Sequence, residues 1–143
     1  MTEEEKELFM EFFQPEPKAH NIGFCVLGGV YSEGIDLRDD RLIGVVIVGV
    51  GLPQLCLERD IIKDYYDNKN HKGFEYSYMY PGMNKVMQAA GRLIRSENDR
   101  GVILLLDERF SRWDYQKLFP REWFPHTKVN ENCLPKILKD FWS

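Results

Sequence analysis

The sequence predicts an α/β domain with a mainly parallel sheet flanked by helices, on three observations. Two apolar runs, residues 22–27 (IGFCVL) and 43–50 (IGVVIVGV), are continuous rather than alternating, as in strands covered on both faces. Roughly a dozen residues separate them, about the least that can join parallel strands. Helical patterns then alternate with a third apolar run, residues 102–106 (VILLL).

The elements follow in order. Thr2 with Glu5 forms a capping-box pattern, and Leu8, Phe9, Phe12 and Phe13 recur at helical spacing, so a first helix ends near Gln14, ahead of Pro15 and Pro17. The run 22–27 reads as a buried strand entering a tight loop at Gly28 and Gly29. Residues 43–50 form the next strand and 57–67 (LERDIIKDYYD) a helix; the polar stretch 68–73 is expected to be the most mobile surface. After Pro81 and Gly82, a buried helical stripe runs through Met83, Val86, Met87, Ala90, Leu93 and Ile94 and stops at 98–101, before the third strand. The tail, 111–143, holds Trp113, Trp123 and Trp142 and is expected to pack as helices and coil over the sheet.

The 143 residues, 43% hydrophobic and 29% charged, suffice for one domain over the whole chain. A formal charge of -4 excludes a protein whose entire surface is basic, so any nucleic-acid contact is local. Glu3, Glu4, Glu5 and Glu7 gather at the start, whereas Lys85, Arg92, Arg95 and Arg100 cluster later and leave room for a phosphate-facing patch. No apolar run is long enough to span a bilayer and the first residues are acidic, which places the chain in the cytoplasm, away from membranes. Cys25, Cys56 and Cys133 lie far apart with no CxxC pair; Cys25 and Cys56 read as small buried hydrophobes, and neither a disulfide framework nor a metal site is indicated.

Ligands of an open parallel sheet gather at the carboxyl ends of its strands. The first such loop is GGVYSEGID, residues 28–36, whose glycines admit positive φ and close approach to a phosphate, beside Ser32, Glu33 and Asp36. Ser32 as the cap of a short helix starting at Glu33 accounts for the same residues. The second constellation is Gln88, Arg92 and Arg95, spaced by four and three and so on one face of a continuous helix. Two guanidiniums and an amide suit an anionic ligand, while a solvated basic face paired with Glu97 and Asp99 explains the same pattern.

Taken together, VLGGVYSEGIDL and QAAGRLIR resemble motifs V and VI of the C-terminal motor domain of XPD/DinG-type superfamily 2 helicases. GVILLLDERF and FPREW resemble segments that follow in that family, and the likeness runs from about Ile22 to Trp123. The resemblance implies a RecA-like second motor domain, truncated at its N-terminus, with motif V over 28–37 and motif VI over 88–95. It implies that Gln88, Arg92 and Arg95 face the phosphates of ATP bound on the first motor domain, the arginines acting as fingers. Ser32, Glu33, Gly34 and Asp36 match the loop that couples nucleotide state to contact with single-stranded DNA, and Gly29 provides backbone room there. ATP and Mg2+ are then held mainly by the first motor domain of the same polypeptide, and an iron-sulfur cluster belongs only to a part upstream.

Asp107 and Glu108 after an apolar strand imitate a magnesium-binding Asp-Glu box. No phosphate loop GxxxxGK[ST] accompanies them, so Asp107 and Arg109 read instead as a strand end that ties down the tail. For the same reason the chain alone is expected to hydrolyse no ATP. The rival reading is a stand-alone module that keeps the RecA-like fold and binds nucleic acid or protein. A dinucleotide loop at 49–54 (GVGLPQ) ranks last, lacking its final glycine and carrying Pro53 where a helix should start.

Overall fold

The computed structural model describes residues 3–14, 20–29, 42–94 and 99–143. Strands β1 (Gly44–Val48) and β2 (Val102–Leu106) pair in parallel, with Gly44 opposite Val102 and Val48 opposite Leu106. Successive side chains leave opposite faces of a strand. Ile47, 4% exposed, enters the core with Val45, Ile103 and Leu105 against it, whereas Val46, Val48 and Leu106 are exposed. Among the described residues the sheet is therefore covered on one face, a correction to the two-sided burial its unbroken hydrophobicity suggested. Every later element that joins the core does so from the Ile47 side.

The run 22–27 is a second correction: it forms no strand, and Ile22, Phe24 and Val26 are exposed, Phe24 to 93%. An apolar segment becomes a strand only where a neighbouring edge receives its backbone groups. This one is tied instead to α1 (Glu3–Glu11). The Asn21 amide donates to the Phe12 carbonyl, and the rings of Phe9 and Phe13 lie against Gly23. Only Leu27 turns inward, onto Gly51 and the core. Cys25 and Cys56 are likewise exposed rather than buried.

Helix α2 (Leu57–Asn70) outlasts the expected 57–67. His71, in the left-handed region at φ 58°, closes it: its N–H donates to the Asp67 carbonyl at 3.2 Å, and the Lys72 N–H donates to that of Tyr66 at 3.4 Å. The Asp67 carboxylate accepts from Lys63 Nζ at 2.7 Å and from the Gly73 N–H at 2.8 Å, so the connection anticipated at 68–73 shrinks to a fastened turn. A π turn (Glu75–Met79) then runs straight into α3 (Tyr80–Ala90), which carries Pro81 near its start. Proline has no N–H to offer the carbonyl four residues back. That carbonyl belongs to Ser77, and the Arg59 guanidinium donates to it from α2 at 3.2 Å. This bond clamps the two helices together.

Met83, Val86, Ala90 and Leu93 are buried as the stripe predicted, while Met87 is half-buried and Ile94 exposed. Gly82 lets α3 close on the loop after β1, because a β-carbon there would stand 3.0 Å from the Val50 carbonyl oxygen. Beyond β2, Phe110, Tyr115 and Phe119 complete the core from a 3-10 turn (Glu108–Ser111), from α4 (Trp113–Gln116) and from the residues after it. The tail fulfils its expected role to that point. Helix α5 (Leu134–Trp142) buries no residue and is met by Arg100, whose guanidinium lies 4.5 Å from the Phe141 ring and 5.5 Å from that of Trp142.

Candidate nucleotide-facing and nucleic-acid-facing site

Gln88 stands exposed in the last turn of α3. The α-helix ends at Ala90, short of the predicted 98–101. Gly91 and the buried Leu93 explain this: glycine costs about 1 kcal/mol relative to alanine inside a helix, and Leu93 packs back against Gly101. The chain tightens through bonds from Arg92 N–H to the Ala89 carbonyl (3.3 Å) and from Leu93 N–H to that of Ala90 (3.1 Å). Arg92 projects, half-buried, from this tightened turn just after α3. Arg95 lies outside the described residues.

The other candidate loop begins at Leu27. Gly28 adopts φ +80°, a conformation other residues rarely take, and the Gly29 N–H donates to the Val26 carbonyl at 2.9 Å. This turn abuts α3 directly: a β-carbon on Gly28 would stand 3.0 Å from Cδ and Cε of Lys85. The structure thus brings the first residues of the 28–36 loop onto the helix that bears Gln88. Ser32, Glu33, Gly34 and Asp36 lie outside the described residues.

At the carboxyl end of β2, the Asp107 carboxylate accepts from the Arg109 N–H at 2.9 Å, from its Nε at 2.8 Å and from its Nη2 at 2.7 Å. The side-chain bonds from Arg109, with a smaller backbone contribution, outweigh partial burial and hold this carboxyl at about 2. Both oxygens accept from Arg109, and the pair caps the 3-10 turn. Arg100, one member of the predicted basic patch, is directed at α5 instead.

Sequence reasoning missed the Arg59 clamp and the placement of Lys85. The first had a signal, since Pro81 four residues after Ser77 marks a carbonyl in need of a donor. The second had none, because it depends on two segments meeting.

Residues 1–126 match the family described as Helicase C-terminal domain. The regulator of telomere elongation helicase 1 homolog of Aedes aegypti is 35% identical over 111 residues, covering 73% of this chain and 11% of that protein. The ATP-dependent DNA helicase CHL1 of Debaryomyces hansenii is 34% identical over 119 residues, 67% of this chain and 14% of its own length. A solved XPD helicase shares the fold with a TM-score of 0.51 and 32% identity, over 63% of this chain and 17% of that one. The chain spans less than a fifth of the length of each of these relatives. It belongs to the helicase C-terminal domain family of XPD/DinG-type helicases.

Proposed function

We propose that this chain is the second motor domain of an ATP-dependent DNA helicase that translocates on single strands, working with a first motor domain of the same polypeptide. The observation that carries the reading is the seat of the Gly28 turn on α3, which couples the start of motif V to the helix of motif VI. ATP with Mg2+, held mainly by the first motor domain, supplies the phosphoryl group whose transfer drives movement.

On this side the donors are guanidinium and amide, which suit phosphate oxygens. When the motor domains close, Arg92 and Arg95 reach the γ-phosphate and stabilise the charge that spreads over it, while the Gln88 amide orients the same group. Gly29, Ser32, Glu33, Gly34 and Asp36 form the loop that shifts its grip on the DNA backbone as the nucleotide state changes. A displacement of the Gly28 turn is transmitted to α3 because the two are packed together.

Arg92→Ala in the full-length protein tests the assignment. An arginine finger is worth about three to five orders of magnitude in rate, so DNA-stimulated ATP hydrolysis should fall by about a thousandfold or more with the fold intact by circular dichroism. Unchanged turnover overturns it. This chain purified alone should show no magnesium-dependent ATPase activity.

A further inference from the structure

Lys85 is the cation that the function above leaves unused. It lies three residues before Gln88 on α3, so the two share a helix face. The side chain is half-buried, yet among the described residues it makes no hydrogen bond or ion pair. Its stem runs along Gly28, and a β-carbon there would stand 3.3 Å from Nζ. The positive φ of Gly28 and its close approach to Lys85 fall at one point: glycine takes that backbone conformation cheaply, and a β-carbon there would crowd the lysine stem.

An ammonium with no counter-charge among the described residues gains when an anion arrives. Packing along Gly28 also removes rotamer freedom beforehand, so less is lost on binding. A lysine presents a compact charge and reads no base, which is the chemistry of a backbone phosphate contact. Both phosphodiester and nucleotide phosphates offer that oxygen. The contact of Lys85 with the turn that opens motif V favours the strand.

We infer that Lys85 contacts a backbone phosphate of the single strand and links grip on DNA to the helix of motif VI. The inference rests on the motor-domain reading for its ligand. Lys85→Met keeps the stem that packs on Gly28 and removes the charge, whereas Lys85→Arg keeps the charge. Both are made in the full-length protein, and binding to a fluorescent oligothymidylate is followed from 50 to 200 mM salt.

The Met variant should bind about 3- to 10-fold more weakly at low salt, and its slope of log K against log salt should shrink by about 0.7, one single-strand phosphate. The Arg variant should stay within about twofold of the parent on both measures, and the ATP concentration for half-maximal turnover should not change. An unchanged slope in Lys85→Met overturns the inference. A raised ATP requirement with an unchanged slope also overturns it and assigns Lys85 to a nucleotide phosphate. Binding needs no turnover, so the same series in an Arg92→Ala background separates a failed finger assignment from a failed Lys85 contact.

Discussion

The two ends of the connection from α3 to the strand end of β2 use their cations in opposite ways. After β2, Arg109 spends its guanidinium on Asp107, and Arg100, just before the strand, lies over two aromatic rings. At the end of α3, Gln88 is exposed, and Lys85 is held in place by packing with no ion pair among the described residues. A charge satisfied within the fold marks a structural role. A charge positioned by carbon contacts and left without a counter-ion marks a role toward something outside the fold.

The sharpest way to break this contrast is to compare Arg92→Ala with Arg109→Ala in the full-length protein. The first should lower DNA-stimulated turnover by about a thousandfold. The second should lower stability and spare turnover, because it leaves a carboxylate that is only 16% exposed without its donor. Its expected cost is on the order of 1–3 kcal/mol, with turnover per folded molecule near that of the parent. Equal losses of turnover in both variants would erase the distinction.

Acid titration sharpens the structural side. The Asp107 carboxyl is held at about 2 in the folded chain, below the roughly 3.9 of an unfolded aspartate. Its stabilisation is therefore fully present above about pH 4 and is lost as the pH falls toward 2. Discounted for partial exposure, the contribution is on the order of 1–2 kcal/mol. Asp107→Asn should destabilise the protein at neutral pH, and its deficit relative to the parent, measured by urea unfolding, should narrow between pH 4 and 2. A deficit that stays constant across that window would mean the carboxylate charge is not what holds the turn.

Much of this was legible in the sequence where the cause is local. β1, β2 and α2 follow from runs of β-branched residues and from helical spacing, and Met83, Val86 and Ala90 face the core as their period requires. The errors fall where a distant partner decides. Residues 22–27 have strand composition, but no edge in the described chain receives them, and Phe9, Phe13 and the Asn21 bond hold them elsewhere. The apolar period continues past Ala90 through Leu93, yet Leu93 stays buried by a tightened turn rather than by helix. In the candidate site, residue types were readable from motifs, but the contact between Gly28 and Lys85 arises only when the two segments meet.

The smallest expected effect concerns Arg100, and it tests whether sequence proximity to Arg92 confers the same role. Its guanidinium sits over Phe141 and Trp142 of α5, a helix with no buried residue of its own. A cation-π contact at an exposed site is worth about 0.5–1 kcal/mol. So little energy cannot move the global transition far, but it is a large fraction of what fastens a helix attached by so few contacts. Arg100→Gln should therefore speed amide hydrogen exchange across 134–142 by about two- to fivefold, leave exchange in α3 unchanged, and keep the salt slope of DNA binding that Lys85→Met lowers. A reduced slope in Arg100→Gln with α5 still protected would move Arg100 into the phosphate-facing group and redraw the boundary between the two sets of cations.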